Sequence, residues 1–428
     1  MIMRPRRSLA FLARAAVPVA LLLGTTSAAH AAQSLTVGNT GQPATLPGDV
    51  INDFNVLTIK SGAVLRVLAK GSGPSTGQLH IRANRIIIES DALIDATGSG
   101  HPGKAGLAGE GMGGGQVNGN SAGGGGAYFG GGGEGTSQAP ACGGPFGLGG
   151  PSYGTPATLD LGSAGGSGSA TPGMGASGGN GGGGVWLQAA RIEINGTIAA
   201  NGANGNVLGN IGAGGGAGGH VILDAYVIDW LPKAKITARG GAGGIGTIGV
   251  GGSGGGGIVR IHASTVSAPP AGVIDVSGGP SPMNCSTGAG DPGTTEFDDQ
   301  NVECFDLDGD DVRSILCGET DCDDTNAEVE PGLPELCNNV DDNCNGEIDE
   351  GETDCAQGLI CQAGKCGSEV NPDAGTTDAG VAPSAPETVE YRGGCSLAPA
   401  AQGGFALAGL GVAAALAGLL ARRAKKAR

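Results

Sequence analysis

The sequence predicts a mainly β protein. Its body reads as a glycine-rich parallel β-helix, a solenoid, followed by a small disulfide-rich loop module, a flexible stalk and a C-terminal transmembrane helix. Three observations predict this. Glycine supplies 90 of 428 residues and aromatic residues only 3%, too little bulk and too much freedom for one ordinary compact core. Four strand-like phrases of one pattern recur between residues 79 and 266. Beyond residue 290 the composition turns to aspartate, glutamate and cysteine.

The N-terminus reads as an export signal. Arg4, Arg6 and Arg7 form a basic region, residues 8–24 are apolar apart from Arg14, and Ala29-His30-Ala31 is an A-x-A site. Residues 1–31 are therefore expected to be a signal peptide cut after Ala31. The apolar run is too short for a membrane span, and an exported chain can keep disulfides.

Residues 32–283 carry the repeat. "LHIRANRI" (79–86), "VWLQAARI" (185–192), "VILDAYVI" (221–228) and "VRIHASTV" (259–266) each place aliphatic residues or alanine at offsets 0, 2 and 4 and an apolar residue at offset 7. Alternation with period two means strands with one buried face. Each phrase is followed by a shared ending: "IDATG" (94–98), "IAANG" (198–202), "ITARG" (236–240) and "IDVSG" (274–278). A strand unit that recurs and cannot bury its face alone predicts stacked coils. The closing glycines are expected to turn the chain with positive φ. "LTIKSGAVLRVLAKG" (57–71) reads as a further, capping coil.

The step from the first unit to the second is about 70 residues too long. The excess, residues 98–184, holds 37 glycines and reads as a long insertion, either disordered or built of packed polyglycine-type extended strands. Within it "GSGHPGKA" (98–105) approaches a phosphate loop, but Ala105 stands where Ser or Thr would bind magnesium. "GASGG" and "GGSGG" match a nucleophile elbow only because glycine is so abundant.

Residues 291–366 form the acidic module. Between 291 and 355 there are 23 Asp and Glu against one Arg, Arg313. In "DDNCNGEIDEGE", Asp341, Asn343 and Asn345 alternate, Gly346 follows, Asp349 takes position 9 and Glu352 position 12, the spacing of a calcium loop. "DLDGDD" places Asp306, Asp308 and Asp310 at alternate positions. Its sixth residue is Asp311 and its twelfth Cys317, so further ligands must come from Asp321, Asp323 and Asp324 in "DCDD". Oxygen ligands of this kind select hard cations, and calcium is the expected one. Cys304, Cys317, Cys322, Cys337, Cys344, Cys355, Cys361 and Cys366 are disulfide candidates whose pairing spacing does not fix. Cys337 and Cys344 are near enough in sequence to staple the start of the second loop. No helices flank the loops, so disulfides would hold their ends, and the module would act as a rigid spacer at the base of the solenoid.

Residues 367–394, rich in Pro, Ala, Thr and Gly, form the expected stalk. Residues 395–428 begin with Cys395, continue into an uncharged stretch at 403–421 long enough to cross a bilayer, and end in "RRAKKAR", whose charges hold their side in the cytoplasm.

This tripartite end resembles the MYXO-CTERM sorting signal of myxobacterial surface proteins. The resemblance implies cleavage near Cys395 and an outer-surface anchor carried on that cysteine, with lipid. Loss of the signal and the basic tail would take the formal charge from −17 to −26, by removing Arg4, Arg6, Arg7, Arg14 and five tail charges. The run from Asp306 to Glu352 resembles the metal-binding motif of MopE-like bacterial surface proteins. Asn338, Asn339, Asn343 and Asn345 stand where such motifs often carry Asp, which should weaken binding. Copper is associated with one branch of that family, and the motif alone does not carry it over here.

The expected function is that of an exported, outer-membrane or cell-surface protein of structural or adhesion type. Its membrane contact is the C-terminal anchor, and its expected partner an extracellular polysaccharide or a neighbouring cell surface. Nucleic acid is excluded by the acidic charge. The alternative is a polysaccharide lyase or hydrolase on a β-helix scaffold. Such an enzyme needs two carboxylates across a cleft, whereas Glu193, Asp224, Asp229 and Asp275 are scattered along the chain and could meet only between coils.

Overall fold

The computed structural model describes residues 34–367, apart from 40, 49, 73–75, 138–141, 145, 170–173, 267–268, 281–284, 299–303, 305, 352–353 and 357–358. The signal peptide with its cut after Ala31, the stalk beyond Gly367, Cys395, the 403–421 span and Glu352 lie outside the described residues. Among the described residues no helix is long and apolar enough to cross a membrane. Helix there is limited to two 3-10 turns, Ser286–Gly288 and Ile315–Cys317.

Two parallel sheets face each other. The long sheet holds, in spatial order, β1 (Leu35–Val37), β3 (Ile51–Ile59), β5 (Gln78–Ile88), β8 (Gly184–Ile194), β12 (His220–Trp230), β15 (Ile258–Val266) and β17 (Thr294–Asp298). The second sheet holds β2 (Ala44–Thr45), β4 (Val64–Arg66), β6 (Leu93–Asp95), β9 (Thr197–Ala199), β13 (Lys235–Thr237) and β16 (Ile274–Asp275). The chain thus alternates between the two, and neighbours in each sheet are successive in the chain.

The repeat alignment is the sheet register. Leu79 pairs with Val185, Val185 with Val221 and Val221 with Val259. The shared endings align in the same way: Ile94 with Ile198, Ile198 with Ile236, and Ile236 with Ile274. The capping phrase pairs likewise, Leu57 with Ile86 and Leu65 with Ile94. A slip of one residue would turn every apolar side chain outward. The inward residues, among them Leu57, Ile81, Leu187, Leu223 and Ile261 from the long sheet and Leu65, Ile94, Ile198 and Ile236 from the second, form one buried core. Ala83, Ala189, Ala225 and Ala263 line up across four strands, and all four are buried in that core.

The glycines of the shared endings do not all act as expected. Gly98 has φ +65°, but Gly202, Gly240 and Gly278 do not adopt positive φ. They are glycine because neighbouring backbone occupies the place of a side chain. A Cβ on Gly202 would collide with the Gly216 carbonyl, and one on Gly240 with that of Gly254.

That crowding belongs to a second body beside the long sheet, made of the described part of 98–184 together with the glycine-rich segments that follow each β unit. Its strands are extended, and their N–H groups point to three neighbours in turn. In the segment 213–219, Ala213, Gly216 and Gly219 donate to Asn206, Ala203 and Ala200, Gly214 and Ala217 to Gly166 and Ser163, and Gly215 and Gly218 to Gly252 and Gly255. Three residues per turn is the period of a polyproline II helix, which makes no hydrogen bonds of its own and satisfies its backbone from its neighbours. Of the two readings open for 98–184, the packed polyglycine one holds for its described residues. The body is edged by a small sheet of β10 (Val207–Leu208), β11 (Ile211–Gly212), β14 (Gly249–Val250) and β7 (Thr136–Ser137). A disulfide from Cys142 to Cys285 ties it across 143 residues. Tyr128, Ala217 and Ile258, with Phe129 and Tyr153 against them, seal it to the long sheet.

The acidic module follows β17 and folds back along the outer side of the long sheet, which corrects the expectation of a spacer at its base. Asn55 Nδ2 donates to Asp323 Oδ1 at 2.9 Å, and Ser314 Oγ to Asn84 Oδ1 at 2.7 Å. Ala190 of β8 is buried with Cys304 and Cys317, and Tyr226 of β12 and Leu316 pack on them. Asn55, Asn84, Ala190 and Tyr226 are neighbours on four adjacent strands, between ladder pairs such as Phe54 with Ala83 and Val56 with Arg85. A short hairpin, β18 (Ile360–Cys361) with β19 (Cys366–Gly367), ends the described chain.

Candidate metal centre

Both acidic loops use one backbone frame. In the first, Asp306 Oδ2 accepts from Asp311 N, Asp308 Oδ1 from Asp310 N and Asp310 Oδ1 from Val312 N. In the second, Asp341 Oδ2 accepts from Gly346 N, Asn343 Oδ1 from Asn345 N and Asn345 Oδ1 from Glu347 N. The sixth position must be left-handed: Gly346 has φ 94° and Asp311 φ 71°. Aspartate tolerates that region better than most residues, so the first loop keeps its shape without the glycine.

Disulfides replace flanking helices, as expected, with pairing that spacing did not fix: Cys304–Cys317, Cys322–Cys344, Cys337–Cys361 and Cys355–Cys366. The suggested Cys337 to Cys344 staple is not made. Instead Cys322, between Asp321 and Asp323, is bonded to Cys344, between Asn343 and Asn345, so one disulfide joins the two loops. Cysteine groupings with metal-like proximity, such as Cys337 with Cys355 and Cys366, are disulfide sulfurs and offer no thiolate.

In the first site, one carboxylate oxygen each of Asp306, Asp308 and Asp310 lie within 4.8 Å of one another. Asp321 and Asp324 join them from the next turn. Both are fully buried, and Asp324 Oδ1 accepts from Leu307 N. Burial pushes the Asp324 carboxyl up to about 8 and that of Asp321 to about 7, and repulsion from Asp308 adds to both. Burial, then the Asp310 charge, raises Asp308 to about 6. The Oδ2 atoms of Asp308, Asp310, Asp321 and Asp324 are buried and have no hydrogen-bond partner. Buried carboxylate oxygens left unpaired are strongly unfavourable, and a bound cation is a partner that would relieve them. Asp323 does not join this set. Its Oδ1 accepts from Asn55 Nδ2 and Thr325 Oγ1.

In the second site the register of ligands shifts by one. Asp349, expected at position 9, has φ 56° and is taken up by backbone. Its Oδ1 accepts from Asn338 N and Asn339 N, and its Oδ2 from Gly364 N. Glu350 faces the loop instead. Asn343 Nδ2 donates to its Oε1 at 2.8 Å and Asn345 Nδ2 donates to the same oxygen, while its Oε2 is buried and unpaired. The Asn343 amide holds Glu350 below the usual carboxylate range. Buried Glu335 frames the loop from behind, accepting from Asn343 N and Asp349 N. Asp341, Asn343, Asn345 and Glu350 thus meet here. Glu350 carried no signal in the spacing, because it falls at position 10.

Elsewhere, two of the four carboxylates scattered along the chain meet between strands. Asp229 pairs in register with Glu193. Arg85 binds Glu193 at 2.5 Å and Arg191 binds Asp229 at 2.7 Å, beside an open groove of about 440 Å³ that Trp230 and Leu231 also line. Asp224 is bound by the Trp186 indole at 2.6 Å, and burial raises its carboxyl. Asp275 is bound by Arg239 at 3.2 Å.

No curated protein and no solved structure matches the chain. Residues 321–350 match the family model for the MopE copper-binding segment, described as a "Putative metal-binding motif". The match runs from the buried Asp321 to Glu350 and does not reach the "DLDGDD" loop. It covers the disulfide that joins the two sites, and it identifies this segment as similar to a metal-binding motif on a disulfide-rich scaffold.

Proposed function

We propose that this is an exported, surface-anchored protein whose β-solenoid body carries a calcium-binding module. Four buried carboxylate oxygens without hydrogen-bond partners carry this reading. Oxygen donors in flexible loops suit calcium better than copper, which favours imidazole and sulfur ligands. Asp306, Asp308, Asp310, Asp321 and Asp324 would hold one ion, and Asp341, Asn343, Asn345 and Glu350, with Glu352 at position 12, a second. Affinity of extracellular grade, Kd on the order of 10⁻⁴ to 10⁻³ M, suffices in a calcium-containing exterior. The signal peptide, the anchor at Cys395, the membrane span and a role in adhesion to polysaccharide or a neighbouring surface complete the proposal.

Calorimetric titration of the mature, oxidised protein with calcium tests it. Two ions should bind, and Asp321→Asn with Asp324→Asn should remove one. Absence of calcium binding, or tighter binding of copper at the same residues, would refute the assignment. The second reading, a polysaccharide-active enzyme, is favoured by one observation only, the pair Glu193 and Asp229 beside the Trp230 groove. Each acid there is neutralised by an arginine, and polysaccharide incubation with product analysis would decide.

A further inference from the structure

We propose that the first cation site is a clasp: filling it and docking the module on the long sheet are one coupled equilibrium. This rests on the calcium reading above and adds a partner to that site, the strip of sheet formed by Asn55, Asn84, Ala190 and Tyr226.

The turn that supplies the buried ligands is the turn that touches the sheet. Asp323, between Asp321 and Asp324, accepts the Asn55 amide. The backbone of Asp321 is joined to the segment around Ser314 in both directions, Ile315 N to Asp321 O at 2.7 Å and Asp321 N to Arg313 O at 3.2 Å. Ser314, fully buried, donates through Oγ to Asn84 and accepts there from Leu316 N. Leu316 in turn packs on the cluster that holds Ala190. Carboxylate positions and sheet contacts therefore move together.

Without a cation, the Oδ2 atoms of Asp308, Asp310, Asp321 and Asp324 are buried and unpaired, and the carboxylates are near enough for their charges to repel one another. Opening the Asp321 turn relieves that repulsion, and the same movement withdraws the partners of Asn55 and Asn84. With a cation the closed turn is favoured and the contacts return. The second loop differs. Among the described residues its side-chain hydrogen bonds run to Glu335, Glu350, Asn338 and Gly364 within the module, and it reaches the clasp only through Cys322, which is bonded to Cys344 and lies against the Asp341 carbonyl, so its ion holds the sheet indirectly.

Coupling between two events is reciprocal. If calcium strengthens docking, loss of docking must weaken calcium, even when the residues removed touch no ion. Asn55→Ala with Asn84→Ala in the mature, oxidised protein removes only sheet-side contacts. Calcium titration should show one site weakened by about tenfold, the order expected from two hydrogen bonds of ordinary strength, and the other weakened clearly less. Hydrogen exchange at 313–324 should rise in the same variant at subsaturating calcium. Asn55→Ala alone, which leaves the buried Asn84 in place, should weaken the same site by about threefold. Both affinities within about twofold of wild type would overturn the clasp while leaving the calcium reading intact, as would equal weakening of the two sites. Absence of calcium binding to the wild-type protein would overturn both.

Discussion

At the scale of single residues, the two loops show how one backbone frame accepts different side chains. Asp349 and Glu350 are adjacent carboxylates with opposite tasks. Asp349 holds three backbone N–H groups, and Glu350 presents a free oxygen to the loop. Glu350→Gln should therefore weaken the second calcium site by about tenfold or more, because a charged oxygen is lost from the site itself. Asp349→Asn should leave affinity nearly unchanged. It should cost the module about 1–3 kcal/mol, since its new amide would face Gly364 N, a donor against a donor. Calcium titration and thermal unfolding of the two variants separate the roles. The spacing made both loops legible but misassigned position 9, because which of two neighbouring carboxylates turns inward depends on a left-handed φ at Asp349 that no spacing rule specifies. Pairing of the cysteines was illegible for a related reason: eight cysteines in one short stretch allow many partners, and the fold selects among them.

At the scale of elements, strands and glycine segments follow different rules. The alternation at 79–86, 185–192, 221–228 and 259–266 was readable because burial on one face is a property of each strand alone, and aligning the phrases gave the register. The glycine segments were not readable, because their order comes from neighbours on three sides and not from any local pattern. The prediction is positional. Gly214→Ala should destabilise by several kcal/mol, about 3 or more, since its Cβ would enter the Gly124 carbonyl and backbone cannot give way. Gly38→Ala, where a Cβ meets nothing, should stay within about 0.5 kcal/mol. Thermal unfolding of both checks this.

The seal between these elements carries a pH dependence. His220 is fully buried, its Nδ1 is 3.0 Å from the Tyr128 hydroxyl, and burial, with the Arg260 charge, lowers it to about 3. The folded form stays neutral where the unfolded chain, with an ordinary pKa of about 6.5, takes up a proton. Its contribution is present above the unfolded value and is lost as pH falls from there toward about 3. Between pH 7 and pH 5 the loss should be on the order of 2 kcal/mol. His220→Gln should remove that part of the slope in thermal unfolding. An unchanged slope would mean that His220 is not neutral in the fold.

At the scale of the whole molecule, the module is a part of the body and not an appendage. Its legibility from sequence was partial: composition marked it off cleanly, yet nothing in its residues says that Asn55 and Asn84, more than 200 positions earlier, would be its seat. The central claim is that the buried Asp321 and Asp324 are there for a cation. The most direct test is the unfolding of the module, followed by limited proteolysis, in wild type and in Asp321→Asn with Asp324→Asn, each with calcium and with chelator. Calcium at about 1 mM and a Kd near 10⁻⁴ M adds roughly 1.4 kcal/mol per site to the wild type, and the variant should lose the share of its first site. In chelator the order should reverse, because the variant lacks the repulsion between buried charges and its amides can donate to the remaining oxygens. A crossing of the two proteins between the two conditions is the predicted result. A variant equally weakened with and without calcium would contradict the claim and leave the disulfides alone as what holds the module.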